Sequence, residues 1–136
     1  MSTDTDHLPI VDTESAPFWE GLAEGKFLLK WCLECGLAHF YPREFCPHCW
    51  GATEWREASG HATVHATTTV RQMGFEPFRS NLPYNLAIVE LAEGPKMLTS
   101  VVGCDPDDVH IGLAVEFVAE QDGDVWVPHF RPAQAE

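Results

Sequence analysis

Trp31-Cys32-Leu33-Glu34-Cys35-Gly36 and, with ten residues between Cys35 and Cys46, Cys46-Pro47-His48-Cys49-Trp50-Gly51 decide how this chain folds. Each CxxC pair bends the backbone so that two sulfurs reach one ion, and residues 36–45 let the two turns face each other. Four anionic sulfurs at that spacing suit a tetrahedral Zn²⁺ with bonds of about 2.3 Å. Iron accepts the same ligand set, so zinc is the first expectation and iron the second. With Cys32, Cys35, Cys46 and Cys49 as ligands, no position is left for an activated water, and the site reads as structural. His39 and His48 stand near the ligands in sequence and read as loop residues, although either could displace a sulfur in principle. A dithiol redox role would need a βαβ setting, which this sequence lacks.

Outward from the first pair, Lys26-Phe27-Leu28-Leu29-Lys30-Trp31 is a strand candidate running straight into Cys32. Residues 27–57 thus form a ribbon unit with little room for a core of its own. Before it, residues 15–26 read as a docking-helix unit whose helix spans 15–24. Ser15 is placed to cap it, Pro17 is tolerated in its first turn and Gly25 stops it. Phe18 and Leu22 stand at i,i+4 beside Trp19 and Ala23, a stripe that needs a platform because so short a helix is unstable alone. That platform is either the chain's own core or a partner. Residues 1–14 are polar and read as a flexible arm, although Leu8, Ile10 and Val11 could dock on a neighbour.

Residues 58–132 read as a second unit, followed by a short tail, 133–136. Strands are predicted over 63–71, 84–91, 96–102, 112–120 and 124–130, with 92–95 turning the clearest hairpin and Asp122-Gly123 turning the last. Five short strands in about seventy residues suggest a small barrel, the OB-fold foremost. The fold class is therefore mainly β: a short helix, a zinc ribbon and a five-stranded barrel. Between 71 and 84 the chain is irregular but apolar, carrying Met73, Phe75, Phe78 and Leu82. Such a loop covers either its own barrel mouth or another molecule.

Twenty-one acidic and eight basic residues leave a net charge of −13. Such a surface repels phosphate backbones and anionic lipid, which argues against a nucleic-acid target even though OB-folds can bind single strands on aromatic platforms. A protein partner with a basic rim fits better. Five cysteines, four of them in CxxC pairs, point to metal in a reducing compartment rather than to disulfides. No charged leader with an apolar core and no run of eighteen apolar residues is found, and the cytoplasm is the expected location.

Taken together, the aromatic helix at Phe18-Trp19, the two cysteine turns, Tyr41-Pro42-Arg43, Glu54-Trp55, Ser59-Gly60, Tyr84-Asn85-Leu86-Ala87-Ile88-Val89 and Pro128-His129-Phe130-Arg131-Pro132 resemble one family. It comprises acyl-CoA-associated proteins in which a rubredoxin-like zinc ribbon precedes an OB-fold and which accompany thiolase-like enzymes. The resemblance covers residues 18–132. At Gly60-His61-Ala62 this chain departs from the glycine repeat common in the family. The resemblance implies a non-catalytic accessory subunit of a thiolase or retro-aldolase, including those acting on steroid side-chain CoA thioesters. An enoyl-CoA hydratase is the alternative partner.

No independent catalytic constellation is legible beside it. Cys104 reads as a small buried residue, and His61, His65, His110 and His129 carry no assigned role. For contact with a CoA thioester, Arg71 and Arg79 flank the apolar loop, Phe75 and Phe78 could cover adenine or pantetheine, and Lys96 is a weaker candidate at the hairpin turn.

Overall fold

The computed structural model describes residues 12–72, 76 and 78–133. Most of the expected amino-terminal arm and tail, together with Met73 and Phe75, lie outside them. The chain opens with α1 (Ala16–Ala23), then β1 (Leu28–Cys32), β2 (Ala38–His39) and β3 (Thr53–Glu57). The second unit holds β4 (His61–Val70), β5 (Tyr84–Leu91), β6 (Lys96–Thr99), β7 (Ala114–Asp122) and β8 (Val125–Pro132). Short 3₁₀ turns at Arg79–Asn81 and Pro106–Asp108 interrupt the connections.

Ser15 precedes α1, but its hydroxyl does not cap the helix. The hydroxyl instead donates to Asp12 Oδ1 (2.8 Å) and accepts from Trp19 Nε1 (3.1 Å), and the first turn is satisfied by the Ser15 carbonyl, which accepts from Phe18 N and Trp19 N. Phe18 and Leu22, the expected stripe, are fully buried within the chain. A Cβ at Gly21 would stand 3.0 Å from Leu28 Cδ1, so the helix lies close on β1.

The ribbon sheet has the order β2-β1-β3, all antiparallel. The barrel sheet has the order β6-β5-β4-β7-β8. β5 alternates strictly, with Asn85, Ala87, Val89 and Leu91 buried and Leu86, Ile88 and Glu90 exposed, the period-two pattern of a strand wetted on one face. A bulge between Val64 and Ala66 bends β4.

The third barrel strand was expected to continue to residue 102. It ends at Thr99, and the chain then leaves β5 for β8. Val101 bridges Phe130 in parallel, Val102 N donates to the Phe130 carbonyl (2.7 Å), and Phe130 N donates to Ser100 O (3.1 Å). This switch closes the curled sheet on itself and satisfies edge groups that would otherwise be open. Val64, Val89, Leu91, Met97, Val101, Val115 and Phe130 fill the core.

Asn85 is the polar group built into that core, 1% exposed. Its amide donates to Thr67 Oγ1 (2.7 Å) and the Thr68 carbonyl (3.2 Å), and its Oδ1 accepts from Val101 N (2.9 Å). One side chain thereby ties β4 and β5 to the segment that closes the barrel. Asn85→Leu, similar in size, would orphan the buried Val101 N–H. A loss of about 2–3 kcal/mol in urea denaturation is expected, with metal content unchanged. A variant as stable as the parent would show the tie to be dispensable.

Candidate metal centre

The two cysteine turns are built alike. In the first, Cys32 N donates to Leu37 O (3.0 Å) and Gly36 N to Cys32 O (3.2 Å), with Gly36 at φ +77° turning the chain back. In the second, Cys46 N donates to Gly51 O (2.8 Å) and Trp50 N to Cys46 O (2.9 Å). Backbone amides then point at sulfur: Glu34 N and Cys35 N at Cys32 Sγ (3.3 and 3.2 Å), and His48 N at Cys46 Sγ (3.3 Å). Such donors spread the negative charge that four thiolates bring to one point.

All four sulfurs lie within 4.8 Å of one another, with Cys32–Cys49 at 3.4 Å and Cys35–Cys46 at 3.7 Å, and none is in a disulfide. A regular tetrahedron with metal–sulfur bonds near 2.3 Å has edges of about 3.8 Å. The donors therefore fit a tetrahedral ion such as zinc, with Cys32 and Cys46 buried beneath it and Cys35 and Cys49 on the rim. Sequence inspection passed over Gly51. A Cβ there would meet Glu34 Oε2 at 2.6 Å, the free end of a side chain that can swing away, and Cys32 Sγ at 3.1 Å, so a larger residue would press on a ligand sulfur. Its signal is its place two residues after the last cysteine, but the clash arises from residues 32 and 34 across the fold.

His39 is not a competing ligand. It is buried, its Nε2 accepts from Arg43 N (3.2 Å), and burial lowers its pKa, which keeps the ring neutral.

Residues 19–56 match the family described as "ChsH2, rubredoxin-like zinc ribbon domain", and residues 55–120 match "ChsH2, C-terminal OB-fold domain". A "DUF35 domain-containing scaffold protein" of Methanocaldococcus jannaschii is 40% identical over 98 residues, 68% of this chain and 69% of that one. This chain belongs to the DUF35 family, of ChsH2 type. Among solved structures, the DUF35 chain resembles one named "Ltp2-ChsH2(DUF35) aldolase" with a TM-score of 0.81 and 29% identity, over 93% of this chain and 99% of that one. A "Probable enoyl-CoA hydratase alpha subunit" of Thermomonospora curvata is 31% identical over 128 residues, 92% of this chain and 39% of that longer protein.

Of the residues singled out for CoA, Lys96 stands apart from the others. Arg71 forms a two-pronged ion pair with Asp107 (2.7 and 2.8 Å), whose carboxylate also accepts from Thr69 Oγ1 (3.0 Å) and is held below its usual pKa by Arg71. The guanidinium of Arg79 lies 4.0 Å from Glu76, and the ring of Phe78 is 6.2 Å from that of Tyr84. Phe75 falls outside the described residues. Lys96 pairs with Glu90 at the far end of β5, roughly 20 Å from Tyr84 by strand rise, and borders a cleft of about 390 Å³ with Leu37, His39 and Pro47.

Cys104 is half-buried, and burial followed by Asp108 and Asp105 raises its pKa, the opposite of an activated thiol. His129 pairs with Glu120 (2.6 Å) on the barrel wall, and His110 contacts the Asp108 carbonyl (3.2 Å). Among the described residues these groups form no nucleophile–base pair. No described helix is long and apolar enough to cross a membrane.

Two outcomes follow from the centre. Cys46→Ser should lose the metal and amide-exchange protection across residues 27–55 while some of the barrel's protection remains; unchanged metal and protection would refute the ligation. Proton release is the second. Without metal, the Cys35 amide holds Cys32 down at about 6, while Cys35 is raised. Cys49 is pushed up to about 12: the Gly51 amide favours its thiolate, but the neighbouring Cys32 sulfur and burial prevail. At neutral pH, Cys35 and Cys49 are therefore protonated, and a divalent ion must displace at least two protons. Affinity should rise at least about 100-fold per pH unit there, and competition against a chelator at several pH values measures it.

Proposed function

We propose that this DUF35 chain is a non-catalytic scaffold subunit of an acyl-CoA enzyme complex, with a thiolase-like thiolase or retro-aldolase as its companion. The observation that carries this reading is the likeness, over nearly the whole length of both chains, to a subunit of an aldolase complex. The curated relative described as a scaffold protein supports the same role. The chain's own chemistry agrees with it, because a four-thiolate centre organises backbone and leaves no ligand position for substrate. The companion supplies the nucleophile and the acid–base groups.

Partnership with an enoyl-CoA hydratase is the second reading, favoured by the match to part of a longer hydratase subunit. In either complex the acyl-CoA thioester meets this chain at the loop bearing Arg71, Phe75, Phe78 and Arg79, with Lys96 on a separate surface. The Arg71–Asp107 pair is more than half exposed on both sides and therefore holds weakly, so a CoA phosphate can compete for the guanidinium. Bulky acyl groups such as steroid side chains are the finer expectation.

Copurification of the tagged chain from its host, with mass spectrometry of its companions, tests the role. An acyl-CoA carbon–carbon bond enzyme whose activity depends on this chain is expected, and recovery of no acyl-CoA enzyme under mild conditions would sink the reading. Replacing both Arg71 and Arg79 by Ala should weaken CoA binding by the assembled complex about tenfold. Binding equal to that of the parent would remove the loop from the CoA site.

A further inference from the structure

The cysteine turns carry more exposed hydrocarbon than a metal site requires. Leu33, Leu37, Phe45 and Trp50 are 56, 52, 51 and 79% exposed. Leu33 N donates to the Ala52 carbonyl (2.9 Å), and Phe45 bridges the same Ala52 antiparallel. Residues opposite one another in antiparallel pairs emerge on one face, so Leu33, Ala52 and Phe45 form a single apolar row. Trp50 lies two residues before Ala52, in the turn that closes the second pair.

Trp50 is the outlier. Its φ of +67° lies in the left-handed region that suits glycine and strains a residue with a Cβ. Burial does not compensate, since the ring is left in solvent. For the isolated chain, glycine would be the better residue at this position. A large ring kept at a strained, exposed position is a feature of contact surfaces, where tryptophan is enriched among the residues that dominate binding.

The surrounding charge selects the occupant. Glu34 adjoins Leu33 and Glu44 adjoins Phe45, Glu14 accepts from Glu44 N (2.8 Å), and Arg43 is the cation of this turn. Four thiolates around a divalent ion add a charge of −2. A second copy of this chain would set acid against acid, and phosphates of lipid or nucleic acid meet the same repulsion. We propose that the row Leu33–Phe45–Trp50 docks into an apolar pocket ringed by lysine and arginine on the companion enzyme subunit. This rests on the scaffold reading above and adds the surface through which the scaffold holds its enzyme.

The test is calorimetric titration of the metal-loaded chain into the companion enzyme named by copurification, with Trp50→Gly, Phe45→Gln and, on the barrel wall, Leu98→Ser as a control. Glycine relieves the left-handed backbone, so Trp50→Gly should keep its metal and melt at or above the parental Tm while binding falls at least tenfold. Phe45→Gln should weaken binding in the same direction, Leu98→Ser should bind as the parent does, and added salt should weaken the parental complex. Parental affinity for Trp50→Gly and Phe45→Gln would overturn this surface and leave the scaffold reading standing. Failure of the unsubstituted chain to bind any acyl-CoA enzyme would overturn both. Dimerisation of the chain lost in Trp50→Gly, or a Trp50-dependent fluorescence response to phosphatidylglycerol vesicles or single-stranded DNA, would assign the face to another occupant and overturn the proposal.

Discussion

The ring of Phe27 is the contact on which both halves of the molecule depend. It lies stacked on Phe117 at 5.0 Å and 12°, meets Phe130 edge-on at 6.0 Å, and meets Phe18 of the helix at 6.0 Å. Its carbonyl accepts from Ala58 N (2.7 Å), where the chain passes from ribbon to barrel. One side chain, 1% exposed, therefore belongs at once to helix, ribbon and barrel. Burial of rings of this size contributes several kcal/mol, and neither a three-stranded ribbon nor an eight-residue helix could supply that alone.

That shared aromatic core explains the division of labour with the metal. The ion draws the two cysteine turns together, and those turns leave β1 and β3 at fixed places. Phe27, directly before β1, and Leu29 on it enter the shared core. Metal and hydrophobic burial act in series along a single strand, so loss of either loosens the join between the units. Chemistry at the ion is unnecessary to this arrangement, and four filled ligand positions prevent it.

Charge is distributed with comparable consequence. On the barrel wall formed by β7 and β8, Glu116 meets Arg131 (3.5 Å) and Glu120 meets His129, a surface made for water. The cysteine turns instead present Leu33, Phe45 and Trp50. In a chain of net charge −13, that exposed apolar row stands out against the acidic background.

The sequence by itself determined which four cysteines come together, the helix, and the existence and approximate limits of the strands. These are local matters: CxxC spacing, i,i+4 apolar residues and period-two alternation act within a few neighbouring positions. Tertiary structure alone decided the rest. Trp19 Nε1 reaches the Tyr41 hydroxyl (3.3 Å), a partner that no local pattern marks. The third barrel strand stops at Thr99 because closure on β8 offers Val101 and Val102 better partners than β5 does. Gly51 stands close on Cys32 Sγ across the centre, and Arg71 is engaged by Asp107. The candidates at Arg71 and Lys96 separate onto opposite ends of β5 for the same reason: proximity between distant residues is set by the closed barrel and by no repeat in the chain.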